Sequence, residues 1–172
     1  MFYSTGTDDV AIENATWLMS EKEVMRANHI GFLPDTIVNY DKPKHIKERI
    51  NSNATFNNNQ FQLKYFFYKD QLVRCSLFSK EDGGKKDIRK DSAMVLYLRK
   101  LYEGKYYGDI DSSRTYCIID SKDVRVEYSS YIQPVLAMTF TEGCKWIEFV
   151  SYSVYLTYKP FKDTLDVAYK HL

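Results

Sequence analysis

Hydrophobic and polar residues alternate most clearly in residues 61–79, and this alternation predicts a β-hairpin. Every second position is apolar on both arms: Phe61, Leu63, Tyr65 and Phe67 on the first, and Val73, Cys75 and Leu77 on the second. A three-residue loop between the arms pairs Phe67 with Val73 and Tyr65 with Cys75, which brings these apolar side chains to one face. A two-residue loop would instead place charged residues opposite apolar ones.

Two segments have the apolar spacing of amphipathic helices. Residues 16–29 predict the first helix, and its regular part is expected to begin at Glu21 because Ser20 and Glu23 have capping-box spacing. Asp87–Tyr107 predicts the second and longest helix, whose apolar stripe is wide enough to pack against a sheet.

The remainder of the chain, from residue 114 onward, predicts strands. The candidates are Thr115–Ile119, Val124–Tyr131, Val135–Thr141, Lys145–Tyr158 and Thr164–Tyr169, with Pro160 in the turn of the last hairpin. Aromatic side chains occur on both faces of Lys145–Tyr158, so we expect this strand to lie in the centre of the sheet.

These elements predict a single domain over residues 1–172, because a chain of this length can bury a large core without metal or disulfide staples. The predicted fold class is α+β: a two-layer sandwich in which two main helices pack on one face of a twisted antiparallel sheet. Residues 34–60 are polar and aperiodic, which predicts an exposed connection with one short helix at Lys42–Ile50. Residues 110–141 are expected to hold extra strands.

Several short motifs follow one another in the order of a repeated helix–strand–strand unit. They are Trp17-Leu18-Met19-Ser20-x-x-Glu23-Val24, Tyr65-Phe66-Phe67 with Leu72-Val73, Leu101-Tyr102-x-x-Lys105-Tyr106-Tyr107-Gly108, and the Trp146-led strand with Val154-Tyr155-Leu156-Thr157-Tyr158 and Leu165-x-Val167-x-Tyr169. This series resembles small bacterial envelope proteins, namely the small outer-membrane assembly lipoproteins and the β-lactamase-inhibitor proteins. The resemblance implies a module that is not an enzyme and docks other proteins in the envelope. The chain departs from these families in the extra strands of 110–141 and in the lack of a lipobox cysteine.

The charge balance restricts the kind of partner. Lys and Arg number 24 against 23 Asp and Glu, which gives a formal charge of +1. A general nucleic-acid binder or a polybasic membrane-surface protein needs a basic surplus. No apolar run approaches the roughly 18–20 residues of a membrane helix. We therefore expect a protein partner, no nucleic acid and no membrane span.

Residues with catalytic or metal-binding chemistry show no recognised spacing. The histidines form no H-E-x-x-H motif, and the three cysteines, Cys75, Cys117 and Cys144, form no C-x-x-C pair. Asp109-x-Asp111 predicts a polar turn rather than a calcium loop, and Gly83-Gly84-Lys85-Lys86 a solvated turn rather than a phosphate cradle. We expect no metal, no cofactor and no enzymatic activity, and the redox state of the cysteines stays open.

Aromatic residues are the compositional excess, with 15 Tyr, 10 Phe and 2 Trp. Each buried phenol needs a hydrogen-bond partner, and tyrosine is enriched in protein interfaces. The tyrosines are therefore expected either at the rim of the core or on a binding surface opposite the helices. Alternation puts Tyr128 and Tyr131 on opposite faces unless a bulge intervenes. The candidate binding residues are Phe66, Tyr68, Tyr128, Tyr131, Phe149 and Tyr155.

The function that these observations favour is a non-enzymatic protein-binding or inhibitor-like module with an aromatic sheet face, in a bacterial cell envelope. A trimmed signal peptide would place the chain in the periplasm or envelope, and otherwise we expect it in the cytoplasm. Two alternatives are an intracellular immunity-type protein that neutralises a toxin, and a small enzyme or ligand-binding domain with a tyrosine-lined cleft. A flat, exposed aromatic patch would favour the binding proteins, whereas a pocket with a shifted carboxylate or histidine would favour the enzyme.

Overall fold

The computed structural model describes residues 10–12, 14–28, 46–56, 59–82, 86–139 and 143–170. The elements are β1 (Val10–Ile12), β2 (Ala15–Thr16), α1 (Glu21–Asn28), β3 (Ile46–Phe56), β4 (Asn59–Tyr68), β5 (Gln71–Asp82), α2 (Ile88–Leu101), β6 (Lys105–Ile110), β7 (Arg114–Asp120), β8 (Val124–Thr139), β9 (Gly143–Tyr158), a 3₁₀ turn (Lys159–Phe161) and α3 (Lys162–Lys170). Strands β1 and β2 form a small two-stranded sheet. The others form one seven-stranded sheet in the order β3-β4-β5-β9-β8-β7-β6. The predicted α+β class with an antiparallel sheet is confirmed.

The large sheet consists of two meanders, β3-β4-β5 and β6-β7-β8-β9, connected by α2. The helix carries the chain from β5 to the far edge of the sheet, and β9 then returns to lie beside β5. These two strands pair from Arg74–Thr157 to Asp82–Phe149. Strand β9 therefore occupies the centre of the sheet, as the aromatic residues on both of its faces predict.

The β4–β5 hairpin has the predicted register over most of its length but a different turn. Tyr65 pairs with Cys75 as predicted, whereas Phe67 pairs with Leu72, so the expected three-residue loop and the Phe67–Val73 pair are wrong. The turn contains only Lys69 and Asp70, whose φ angles are 49° and 64°. Two residues in this left-handed conformation match the twist of the strands, and the extra residue appears in β5 as a bulge.

The segment before α1 holds this bulge in place. The Leu18 N–H donates to the carbonyl oxygen of Leu72 at 3.0 Å, and the Leu72 N–H donates to the carbonyl oxygen of Met19 at 2.8 Å. Val73 consequently joins Phe66 in a cluster on the face opposite Cys75. No local alternation pattern reveals this because the bonds that fix the bulge come from residues that are distant in the sequence.

The second helix ends earlier than predicted. It runs to Leu101 rather than to residue 107, and β6 begins at Lys105. Tyr102 has extended backbone angles, and Gly104 passes so close to β7 that a Cβ atom would lie 2.5 Å from the carbonyl oxygen of Asp120. The chain turns sharply at this close approach, where only a glycine fits.

The predicted connection at 34–60 contains an edge strand. Residues 46–56 form β3 and pair with β4, so the short helix expected at Lys42–Ile50 is wrong where the chain is described; residues 29–45 lie outside the described residues. The strands predicted at Val124–Tyr131 and Val135–Thr141 are one continuous strand, β8. Strand pairing decides both cases. Strand β3 forms by pairing with β4, and β8 stays continuous because it keeps its register with β9 through Pro134.

The last predicted strand, Thr164–Tyr169, is helical. Pro160 lies in a 3₁₀ turn, and α3 follows it at once, so the predicted closing hairpin is wrong. Leu165 is completely buried in the cluster with Phe66 and Val73. The alternating apolar residues of this segment suit one turn of an amphipathic helix as well as a strand, and burial of Leu165 favours the helix.

Two hydrophobic clusters lie on opposite faces of the sheet. We call the side that carries Leu63, Tyr65 and Phe67 the core face, and the opposite side the outer face. Core-face side chains form the main cluster with Val24 of α1 and with Met94, Val95 and Leu98 of α2. On the outer face, α3 covers a smaller cluster: Ile46, Phe66, Val73 and Leu165. The predicted two-layer sandwich has helices on one face of the sheet only, so it omits α3 on the outer face.

This arrangement gives a test of the α3 docking. We expect Leu165→Ala to lower the free energy of unfolding by about 2–4 kcal/mol because it leaves a cavity in the outer cluster. Val167 is 56% exposed on the same helix, so Val167→Ala is the matched control, with a change within about 0.5 kcal/mol. Urea unfolding followed by circular dichroism measures both. Equal effects of the two substitutions would contradict the packing of α3 on the sheet.

Candidate functional site

The part of the outer face beyond α3 carries a series of aromatic side chains on five adjacent strands. Strand pairing places them on one side, because residues opposite each other in an antiparallel ladder share a face. Tyr131 lies opposite Ser151, which is two residues from Phe149 on β9. We call this set the outer aromatic surface: Phe78, Tyr107, Tyr116, Tyr131, Phe149 and Tyr155.

The rings on β6, β7 and the neighbouring β8 are well exposed, whereas those of Phe78 on β5 and Tyr155 on β9 pack against each other. Tyr107, Tyr131 and Tyr116 are 55%, 42% and 40% exposed. Phe78 and Tyr155 pack edge to face, with centroids 5.6 Å apart and an interplanar angle of 86°. Burial raises the pKa of the Tyr155 hydroxyl, and a tyrosine hydroxyl is neutral at pH 7 even without this shift. The surface therefore combines rigid apolar area with neutral polar groups.

Small polar side chains lie between these rings. The hydroxyls of Ser129 and Ser153 are 2.7 Å apart, and the Ser151 hydroxyl donates to Oε1 of Gln133 at 3.0 Å. Ser76 is buried beside them, and its hydroxyl has no hydrogen-bond partner among the described residues. Because serine is short, the aromatic rings on either side project further from the sheet than the residues between them.

Some charged groups on the outer face are paired within the chain. Nε of Arg125 lies 2.7 Å from Oε1 of Glu127. The Arg74 Nε donates to the Thr157 hydroxyl at 3.0 Å, and its guanidinium lies 3.8 Å from a carboxylate oxygen of Asp166. These pairs neutralise the charges that lie next to Tyr155 on the outer face.

The six predicted binding residues are distributed between the two faces. Tyr131, Phe149 and Tyr155 lie together on the outer aromatic surface, whereas Phe66 lies beneath α3 and the Tyr68 ring packs 5.9 Å from that of Phe161. Tyr128, the remaining residue of the set, is buried on the core face, because the β8–β9 register is uninterrupted.

Sequence reasoning missed Phe78, Tyr107 and Tyr116 as members of this surface. Phe78 follows the alternation of β5, so the hairpin pattern contained its signal. Tyr107 is the last residue of the predicted helix Asp87–Tyr107, and Tyr116 has no distinguishing local pattern. Only the order of the strands shows that these three residues share a face.

A group of polar side chains is buried under α2. Asp91 is completely buried, and its Oδ1 accepts hydrogen bonds from the hydroxyls of Tyr128 at 2.5 Å and Ser130 at 2.7 Å. Its Oδ2 accepts from the Thr115 hydroxyl at 3.0 Å and lies 2.5 Å from Nζ of Lys86. We call these five residues the Asp91 cluster.

Every donor of Lys86 in this cluster is used. Nζ donates to the carbonyl oxygen of Asp111 at 2.5 Å and to the Thr115 hydroxyl at 2.6 Å, in addition to its ion pair with Asp91. An ammonium group has three N–H donors, so the arrangement saturates it. Burial and the hydrogen bond to Asp91 raise the pKa of Tyr128 far above its usual range. The cluster is suited to anchoring α2 on β7 and β8 rather than to proton transfer.

The sequence contains a signal for this cluster that the solvated-turn prediction for 83–86 did not use. Asp91 lies on the apolar stripe of α2, three residues after Ile88 and four before Val95. A carboxylate in that position must meet a cation or several donors, because burial of an unpaired charge is very unfavourable. Lys86 is the cation, although its place before the helix resembles an ordinary charged turn.

The described residues contain no group of three or more His, Cys, Asp or Glu side chains arranged to hold a metal ion. The Asp109-x-Asp111 segment forms a turn in which Oδ1 of Asp111 accepts from the N–H groups of Ser113 and Arg114. These hydrogen bonds lower the pKa of Asp111 to about 2, and the bond from the Arg114 N–H has the largest effect. Burial raises the pKa of the Cys117 thiol to about 11, so this free cysteine is protonated and unreactive at neutral pH.

Comparison with known proteins gives no further guide to the site. A scan against protein-family models and searches of curated proteins and solved structures found no match to this chain. Within the described part of the chain, every helix is too short or too polar to cross a membrane.

The Asp91 cluster predicts a large effect from a small chemical change. Asp91→Asn keeps the side-chain shape but leaves the Lys86 ammonium buried without a counter-charge, so we expect a loss of about 3–5 kcal/mol in unfolding free energy. Asp87, the exposed N-cap of α2, provides the control, because asparagine caps a helix about as well as aspartate and should leave stability within about 0.5 kcal/mol. Chemical denaturation measures both variants.

A double substitution separates the ion pair from other effects. Lys86→Met together with Asp91→Asn removes both charges, and we expect the double variant to be more stable than the sum of the single losses predicts. Strict additivity of the two losses would show that the pair does not anchor the helix.

Proposed function

We propose that this chain is a non-enzymatic protein-binding module that docks its partner through the outer aromatic surface. The observation that carries the proposal is the series of partly exposed rings on neighbouring strands, with Tyr107, Tyr116 and Tyr131 each at least 40% exposed. Exposed aromatic residues concentrated in one patch of a folded domain are typical of interaction sites.

The chemistry of the surface suits a protein rather than a highly charged partner. Tyrosine rings contribute large contact area with few rotatable bonds, and they dominate the binding energy of many interfaces. Arg125 pairs with Glu127, and Arg74 with Asp166, so these charges near Tyr155 have partners within the chain. We propose a partner with an apolar, nearly uncharged patch and polar groups at its rim that bond the tyrosine hydroxyls.

The Asp91 cluster favours this proposal over an enzyme that uses those residues. Its ammonium has three acceptors and its carboxylate has four donors, so neither group is free to act on a substrate. The outer aromatic surface in turn consists of side chains on regular strands of the sheet. Such a surface suits docking more than enclosure of a small molecule.

We further propose a bacterial cell envelope as the location, for which the support is the resemblance of the helix–strand–strand motifs to envelope proteins. An immunity-type protein would use the same surface inside the cell. Fractionation of the native host, followed by detection of the chain, distinguishes the two, since envelope recovery supports the first location and cytoplasmic recovery supports the second.

Site-specific photo-crosslinking tests the surface directly. We expect a benzophenone amino acid at position 131 to trap a partner protein in host cells, because Tyr131 lies within the proposed interface. The matched control carries the same group at Leu96, which is exposed on α2 on the other side of the sheet. Equal trapping from both positions would contradict docking through the outer aromatic surface.

Once the partner is identified, alanine substitutions measure the contribution of the rings. We expect Tyr131→Ala and Tyr155→Ala each to weaken binding about tenfold or more in calorimetry, as hot-spot tyrosines do. Leu96→Ala should leave affinity within about twofold. Unchanged circular dichroism spectra confirm that the variants fold, and unchanged affinity in both tyrosine variants would refute the proposal.

A further inference from the structure

Among the described residues, strand β6 forms one edge of the large sheet. It spans Lys105–Ile110 and pairs with β7 in an unbroken register. Among the described strands none lies on its other side. An edge strand of this kind presents unpaired backbone donors and acceptors to any strand that can approach it.

The opposite edge of the sheet is protected in a way that β6 is not. Strand β3 shifts register between Asn51 and Ala54, and such an irregularity disrupts pairing with a further strand. Its Lys47 and Arg49 are held in ion pairs with Glu21 of α1. Of the two edges, β6 is therefore the one prepared for an additional strand.

The side chains of β6 form a self-complementary series. Lys105, Tyr107 and Asp109 alternate along the outer face, and all are exposed. Among the described residues, Lys105 and Asp109 have no ion-pair partner, whereas Arg125 and Glu127 on β8 pair with each other. The edge thus carries one cation and one anion, each two residues from Tyr107.

We propose that β6 pairs antiparallel with β6 of a second copy of this chain, about a twofold axis at Tyr107. In this register Lys105 of each copy lies opposite Asp109 of the other, so two ion pairs form across the axis. Tyr107 lies opposite its own counterpart. Opposite charges and aromatic pairs that face each other across antiparallel strands stabilise the ladder.

Other registers are less complementary. An axis between Tyr107 and Gly108 places Lys105 opposite Ile110, which leaves the charges unpaired. An axis at Gly108 places Lys105 opposite Asp111, whose carboxylate already accepts hydrogen bonds from Ser113 and Arg114. The axis at Tyr107 is the one that pairs both free charges.

The glycine of β6 supports the same register. A Cβ atom on Gly108 would lie 2.5 Å from the carbonyl oxygen of Tyr116, so contact with β7 requires glycine and leaves a gap on the edge. With the axis at Tyr107, this gap faces Tyr106 of the second copy. An aromatic ring across from a strand glycine covers its exposed backbone.

The dimer would join two seven-stranded sheets into one continuous sheet. The two outer aromatic surfaces would then meet at the paired Tyr107 side chains. This inference does not depend on the proposed docking function, because it concerns the strand edge and needs no foreign partner.

A charge-exchange experiment tests the register. The Lys105→Asp dimer has two pairs of facing aspartates across the axis, and the Asp109→Lys dimer has two pairs of facing lysines. Because like charges repel, we expect each variant to dimerise about tenfold or more weakly than the wild type. When the two variants are mixed, both ion pairs re-form, one as in the wild type and one with the charges at positions 105 and 109 exchanged. We expect a 1:1 heterodimer of wild-type affinity in sedimentation equilibrium.

The control is Lys100→Asp, which makes the same change of charge at an exposed position of α2. It should dimerise like the wild type, and circular dichroism verifies the fold of every variant. A wild type that remains monomeric up to about 1 mM overturns the proposal. So does a mixture that fails to form heterodimers, or a dimer that responds to Tyr131→Ala but not to the β6 variants, since that dimer would use the outer aromatic surface.

Discussion

The pairing of β5 with β9 holds together two halves of the sheet that are far apart in the sequence, and the remaining structure depends on it. Each half is a meander that would otherwise end in an open edge. The pairing places Cys75 opposite Leu156 and Leu77 opposite Val154 on the core face. Because side chains alternate with a period of two, a slip of one residue would exchange the core and outer faces of one entire half. The register of these two strands therefore decides which aromatic residues are buried.

Helix α2 has to cross from one half to the far edge of the other, and the Asp91 cluster determines where it lies. Apolar contacts from Met94 and Leu98 would tolerate small shifts of the helix along the sheet. The carboxylate of Asp91 tolerates none, because it must meet hydroxyl donors on β7 and β8 and the ammonium of Lys86 at once. A buried ion pair contributes little net stability compared with an apolar core. Removal of one of its two charges is nevertheless very unfavourable, because the other charge is left buried without a partner. We infer that the cluster gives the helix its unique position.

The outer face shows how one alternation pattern produces both a core and a surface. The part of this face near the β4–β5 turn is covered by α3, and Phe66 and Val73 are buried there beneath Leu165. Beyond α3, the same face continues through Tyr155 and Tyr131 to the edge strand. The aromatic excess of the composition is thereby divided: part fills two clusters, and part remains partly exposed. Buried phenols are hydrogen-bonded, as Tyr128 is to Asp91, whereas the exposed ones keep their hydroxyls available to a partner.

The sequence by itself determined the elements whose pattern is local. The capping box that begins α1 at Glu21, most of the β4–β5 register and the central place of β9 follow from residue spacing, because helix and strand periodicities are properties of neighbouring residues. Tyr131 and Tyr155 could be named for the same reason. The tertiary structure alone decided the bulge at Val73, the strand at 46–56, the helix around Leu165 and the partners of Asp91. Each depends on contacts with residues distant in the sequence, whose burial and hydrogen bonding outweigh the weak local preference of a short segment.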